Sequence, residues 1–137
     1  MGEVAVGAHQ SLECMRDGLV RAEDDVLAVF NDLNDDNDFD IYCVKETPTL
    51  SYIPIRVCRA RFVDRLTAQA ASDFLGGSAY DDPRGQLSYY GSLLRQKMSE
   101  LVDENPDLYQ ALLAYYELKI DYDDESGERF DGNMLSR

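Results

Sequence analysis

From Ser11 onward the apolar residues recur with a helical period. Leu12, Met15, Leu19, Ala22, Val26, Val29 and Leu33 stand three or four apart, the spacing that gathers side chains into one stripe along an α-helix. Ser11 is suited to cap that helix, since its hydroxyl can accept a bond from an unpaired amide of the first turn. Gly18 lies inside it and weakens it by up to ~1 kcal/mol. The run Asn34-Asp-Asp-Asn-Asp38 ends it, because short polar side chains bond their own backbone and favour turns. A coiled coil needs a matching second helix, so the stripe points to packing on the chain's own core.

The period then changes. Phe39–Lys45 and Ile55–Phe62 are rich in β-branched and aromatic residues, and Thr47-Pro48-Thr49 with Pro54 punctuates a turn between them. An antiparallel register with Cys43 opposite Cys58 sets Phe39 against Phe62 and Ile41 against Ala60, on the side of the sulfurs. That side is apolar and suited to cover helices. The other side sets Asp40 against Arg61 as a charge pair, Tyr42 against Arg59 as a cation–π pair, and Val44 against Val57. A slip of one residue would scramble both faces.

Asp64 is placed to cap a short helix, Arg65–Leu75, with Leu66, Ala70 and Phe74 on one side and Gly76-Gly77 at its end. Residues 78–85 read as a polar loop. Gln86–Glu104 is a third helix with Leu87, Tyr90, Leu94, Met98 and Leu101 in phase. Asn105-Pro106-Asp107 has the form of an N-cap, a first-turn proline and a first-turn acid. It starts a fourth helix to about Ile120, carrying Leu108, Leu112, Tyr115 and either Leu118 or Lys119. Residues 1–10 have no period and read as a loose start, and 121–137 as a frayed acidic tail. The expectation is a mainly helical α+β fold in a single domain, 1–137, with a folded core over 11–120. About four helices pack on one two-stranded antiparallel β-hairpin, with no internal repeat.

Charge narrows the partners. The chain holds 27 acidic and 13 basic residues, a net charge of −14. Such a chain repels nucleic acid and anionic lipid, so no nucleic-acid binding is expected. Acidity serves solubility; the sharper alternative is an acidic inhibitor or nucleic-acid mimic that engages a basic partner. No apolar run approaches the roughly 20 residues that cross a bilayer, so no membrane insertion is expected. The opening Met1-Gly2-Glu-Val-Ala-Val-Gly-Ala reads as a start set where a signal peptide has been removed.

Opposed cysteines on neighbouring strands can meet disulfide geometry, which would imply an oxidising compartment. The alternative is two reduced cysteines packed as small hydrophobes in the cytoplasm. A metal site would want more ligands, and His9, the only histidine, lies in the loose start. Cys14 falls off the apolar stripe and is either a free thiol or an intermolecular link. Phe39-Asp-Ile-Tyr-Cys43, a Thr-Pro-containing turn and Arg56-Val-Cys-Arg59 together resemble a group of small exported proteins of proteobacteria. That group shows a cysteine, a Thr-Gly-Ser-like turn and an Arg-Val-Cys-Arg strand. The resemblance covers about 25 residues, and Thr49-Leu50-Ser51 stands where Thr-Gly-Ser is expected. It implies a periplasmic location and a Cys43–Cys58 disulfide, and no activity.

Three further constellations bear on function. Asp32, Asn34, Asp36 and Asp40 are spaced like calcium-loop ligands, but Asn37 replaces the loop glycine and Cys43 the bidentate glutamate. A calcium-dependent binding module is therefore a further alternative, against a solvated acidic turn; the acids Asp121, Asp123 and Glu125 are weaker still. Residues 45–65 carry Lys45, Arg56, Arg59, Arg61 and Arg65 against Glu46 and Asp64, a net of +3 on a remainder of −17. These arginines either meet an anionic partner or pair with the chain's own carboxylates. Of the pairs Tyr89-Tyr90 and Tyr115-Tyr116, one member each must face outward, and Tyr89 and Tyr116 are the expected ones; exposed tyrosines are enriched at interfaces. There is no Walker loop, Gly-x-Gly-x-x-Gly, His-Glu-x-x-His or nucleophile elbow, so neither catalysis nor a cofactor is expected. The reading is a non-catalytic exported protein that binds another protein, with Tyr42, Arg56, Arg59, Arg61, Tyr89 and Tyr116 as candidate contact residues.

Overall fold

A computed structural model describes residues 11–77 and 82–135. The expected loose start 1–10, with His9, and much of the 78–85 loop lie outside these residues. The elements run α1 (Leu12–Leu33), a 3-10 turn (Asn37–Phe39), β1 (Ile41–Glu46), β2 (Ile55–Ala60), α2 (Arg61–Leu75), α3 (Arg84–Glu104) and α4 (Pro106–Leu135). Four helices and a two-stranded antiparallel sheet make a mainly helical α+β fold. The chain divides into two compact units: Phe30–Glu104, and the residues up to Val29 together with those from Asn105 on.

In the unit Phe30–Glu104 the hairpin has the expected register: Ile41 opposite Ala60, Tyr42 opposite Arg59, Cys43 opposite Cys58 and Val44 opposite Val57. The ladder is shorter at its open end than the sequence pattern implies. Phe39 belongs to the 3-10 turn and Phe62 to α2, so neither is a strand residue. Their rings still meet edge to face, with centroids 5.8 Å apart, and Arg61 N donates to Asp40 O at 3.0 Å. The apolar face survives this change. Phe39, Ala60, Phe62 and Leu66 form a buried cluster, with Ile41, Val63, Leu87, Tyr90, Leu93 and Leu94 packed around it. Tyr90 closes the aromatic group, its centroid 5.7 Å from that of Phe62.

α2 begins four residues earlier than Asp64 as a cap would allow. Ala60 is extended and offers no side-chain cap, and Asp64 sits in the first turn, where a carboxylate meets the positive helix end. The buried stripe is Phe62, Leu66 and Ala70. Phe74, expected beside them, lies a turn beyond and is 66% exposed. Gly77 follows the helix with φ 80°, the left-handed backbone that a helix end often needs and that glycine adopts without steric cost.

Two asparagines at the end of α1 hold the start of the hairpin. Asn31 Nδ2 donates to Ile41 O, and Ile41 N donates to Asn31 Oδ1, both at 2.9 Å. The side-chain amide thus does for Ile41 what a neighbouring strand would do. Asn34 Nδ2 donates to Asp40 Oδ1 at 2.7 Å and to Asp36 O at 2.6 Å. Asn34 and Asp40 are both buried, and a buried carboxylate without a donor is costly. Phe30, absent from the expected stripe, is wholly buried. The true stripe runs at a spacing of four, through Ala22, Val26 and Phe30.

In the other unit Ser11 caps α1 as expected, its Oγ accepting from Cys14 N at 3.0 Å. Ala22, Val26 and Leu108 are buried. α4 does not stop near Ile120 but continues to Leu135. Acids cost a helix only a few tenths of a kcal/mol each. This stretch also gains local partners: Lys119 pairs with Asp123 one turn on, at 3.0 Å, and Tyr122 stands beside Arg16 of α1 and raises its pKa.

The asparagine pins yield a stability prediction. Asn34→Ala leaves the Asp40 carboxylate buried without that donor and destabilises the fold by ~1–3 kcal/mol in denaturant unfolding. The Asn34→Ala/Asp40→Ala double variant costs less than the sum of the two single changes, because neither orphaned group remains.

Candidate interaction surface

The sheet side that carries the sulfurs is turned toward the core, so the other side of β1 and β2 faces away from it. Cys43 and Cys58 form a disulfide, with Cα atoms 4.0 Å apart and a sequence separation of 15. Cys14 stays outside it as a half-buried free thiol. The bridge crosses the middle of the ladder and holds β1 to β2.

On the outer side the arginines are largely engaged by the protein itself. Arg59 pairs with Glu46, and its Nε donates to Asp64 Oδ1 at 2.8 Å. The Arg59 guanidinium holds the Glu46 carboxyl below its ordinary range. The expected pairing of Arg59 with the Tyr42 ring is replaced by one with Arg61. The Arg61 guanidinium carbon lies 4.7 Å from the Tyr42 ring centre, and its Nη2 donates to the Tyr42 hydroxyl at 3.0 Å. The expected Asp40–Arg61 charge pair is likewise not formed by side chains, since Asp40 turns inward to Asn34. Arg56 is not on this side: half-buried and opposite Lys45, it is two residues from Cys58 and so shares the side of the sulfurs. Arg65, further along, forks onto both oxygens of Asp38 at 2.9 and 2.8 Å and lies 5.3 Å from the Tyr90 ring centre.

What remains exposed is apolar. Tyr42 and Val44 of β1 and Ile55 of β2 are nearly half exposed. At the turn, Leu50 and Tyr52 are 100% exposed and Ile53 is 71% exposed. A bond from Ser51 N to Pro48 O closes the turn at 3.0 Å, and Ile53 N donates to Ser51 Oγ at 3.1 Å. Leu50 has φ 66°, a left-handed backbone that costs a side-chain-bearing residue roughly 1–2 kcal/mol. The chain therefore holds a leucine outward where glycine would be easier.

Neither Leu50, Tyr52 nor Ile53 stands among the residues expected from sequence to make contacts. The signal was present: Thr47–Ile55 is an uncharged run of nine residues, placed in a turn where polar side chains are the rule. Of the residues that were expected, Tyr42, Arg59 and Arg61 share the hairpin's outer side. Tyr89 stands on α3, 57% exposed, its ring edge-on to Tyr90. Tyr116 stands on α4, 56% exposed.

The acids of Asp32–Asp40 are drawn into other bonds. Asp36 Oδ1 accepts from Asp38 N at 3.0 Å, Asp38 is held by Arg65, and Asp40 is held by Asn34. Cys43, at the position of the loop's last ligand, is in the disulfide. Among the described residues these carboxylates do not converge on a common point within coordinating distance. No helix among the described residues is long and apolar enough to cross a membrane. No protein-family model, curated protein or solved structure matches this chain.

Two predictions test this arrangement. The disulfide closes a loop whose constraint on the unfolded chain is worth ~3 kcal/mol in the entropic account. The Cys43→Ser/Cys58→Ser variant should lose stability of that order in denaturant unfolding, and reductant should destabilise the unaltered chain but not the variant. The hydrogen bonds from Arg65 hold the Asp38 carboxyl below its ordinary value, against the opposing effect of burial. A carboxylate with a depressed folded pKa contributes stability above its unfolded value and loses it as pH falls through the folded one. The pair is half exposed, so the effect is modest. Asp38→Asn should be less stable than the unaltered chain at neutral pH, and the difference should shrink as pH drops below ~4, followed by urea unfolding across pH.

Proposed function

We propose that this chain is a non-catalytic exported protein that acts by binding another protein through its hairpin. The observation that carries this reading is the apolar tip: Leu50 and Tyr52 wholly exposed and Ile53 nearly so, on a turn fixed to a disulfide-closed ladder. Exposed apolar side chains gathered in one place mark interaction sites on soluble proteins. The strained backbone at Leu50 favours the same reading, because strain persists where surrounding structure holds a residue for use. An ordered hairpin also loses little conformational freedom on docking, which favours affinity.

The arginine face becomes the rim of the surface rather than its centre. Arg59 and Arg61 are committed to Glu46, Asp64 and Tyr42, and a paired cation must lose those contacts before it serves a partner. Their part is to hold Tyr42 and the strands in place beside the tip. Export is favoured by the disulfide, which persists in oxidising compartments. It is favoured too by the resemblance noted in the sequence. The left-handed backbone at Leu50 falls where the resembling group has the glycine of Thr-Gly-Ser. These two arguments together favour a periplasmic place for the chain.

The test is photo-crosslinking in cells. A photoreactive residue in place of Tyr52 should trap one discrete protein adduct. The same residue at exposed Thr67 on α2 should not, and Leu50→Ser/Ile53→Ser should abolish the adduct without altering thermal stability. An adduct equally strong from Thr67, or one indifferent to the tip substitutions, overturns the reading.

A further inference from the structure

Five of the exposed large apolar residues lie on α4, and four of them, Tyr109, Leu113, Tyr116 and Ile120, between 40% and 59% exposed, form a series that leaves out Leu118. Their spacing of four, three and four keeps them on one side of the helix. They are not the helix's buried side, which carries Leu108 at 0% exposure and half-buried Leu112 and Tyr115. α4 is therefore apolar on two sides, and among the described residues one of them is left about half exposed. The Tyr115 and Tyr116 rings meet edge to face, 5.4 Å between centroids, which links the outer stripe to the inner one.

Charge selects what fits this stripe. Pro106–Gly127 holds six acids and one base, Lys119. On a helix of 3.6 residues per turn, Glu117 and Asp124 fall along one flank of the stripe and Asp123 along the other, while Asp121 lies further round, in a groove shared with Arg21 and Asp25 of α1. Lys119 is tied to Asp123. A second copy of this chain would bring acids against acids, and an anionic lipid surface would meet the same repulsion. With Asp123 neutralised by Lys119, the free acids lie on one flank, and the complement of an apolar seam beside an acidic flank is an apolar seam beside a basic one.

We propose that the outer side of α4 is a docking site for a basic amphipathic helix of a partner protein. Leu113, Tyr116 and Ile120 insert among the partner's apolar side chains, while Glu117 and Asp124 meet its lysines or arginines. The site lies on a different element from the hairpin tip, and it stands or falls independently of the hairpin reading.

A synthetic helical peptide is the probe, with leucines three and four residues apart and lysines along one flank. Isothermal titration of the full chain should show saturable binding that weakens as salt rises. Tyr116→Ser/Ile120→Ser should weaken it roughly tenfold or more, as loss of central apolar anchors does. Glu117→Gln/Asp124→Asn should weaken it and flatten its salt dependence. Leu50→Ser/Ile53→Ser at the hairpin tip should leave it unchanged. Circular dichroism should show unaltered helix content in every variant, since the substituted side chains are exposed. Equal binding by Tyr116→Ser/Ile120→Ser, or equal binding of a peptide with glutamates in place of the lysines, overturns the proposal. So does a concentration-dependent dimer of the chain that the same stripe substitutions abolish, because the face would then belong to a second copy.

Discussion

The unit Phe30–Glu104 depends on one pairing: the Asn31 side-chain amide laid against the backbone of Ile41, donor to acceptor and acceptor to donor. A two-stranded sheet has two bare edges, and an isolated hairpin is marginal in water. Here the first residue of β1 finds a surrogate strand on the last turns of α1. Asn34 repeats the device a turn later, holding the buried Asp40 carboxylate. Between them the two amides fix how the 3-10 turn leaves α1. That fixes where Phe39 enters the core, where it meets Phe62 edge to face.

Periodicity made much of the fold legible. Strand pairing was readable because one face had to be apolar and only one register made it so; Ile41, Cys43, Ala60 and Cys58 carry that constraint, and the observed ladder obeys it. Its ends were not readable. Phe39 and Phe62 are opposed in both descriptions, but the sequence pattern cannot distinguish a pair across strands from two rings meeting between a 3-10 turn and a helix. The same limit hid Phe30, whose neighbour Val29 fits an alternating stripe as well as it does. At the far end, α4 beyond Ile120 lacks an apolar period, and its partners there, Lys119 with Asp123 and Tyr122 beside Arg16, are contacts that no hydropathy pattern records.

The proposed contact surface was harder to read than the fold, because charge drew attention and neutralisation is invisible in a sequence. Five bases among two acids over residues 45–65 look like a basic ribbon. Folding brings Glu46 and Asp64 onto Arg59, and Asp38 from outside the segment onto Arg65. Two of its five bases are thereby paired within the protein, and Arg61 is laid on Tyr42. What the ribbon leaves outward is an uncharged loop that composition alone would pass over as a turn.

The place of the disulfide has a consequence for the protein when it is only partly folded. The Cys43–Cys58 bridge lies in the middle of the ladder rather than at its base. A local opening that lifts α2 and α3 from the hairpin leaves β1 and β2 covalently joined across their centre. The Leu50–Ile53 tip is the smaller of the two arcs that the bridge separates, and it stays presented on a closed ring while the rest of the unit breathes. The tip's geometry is thereby uncoupled from the momentary state of the core beneath it.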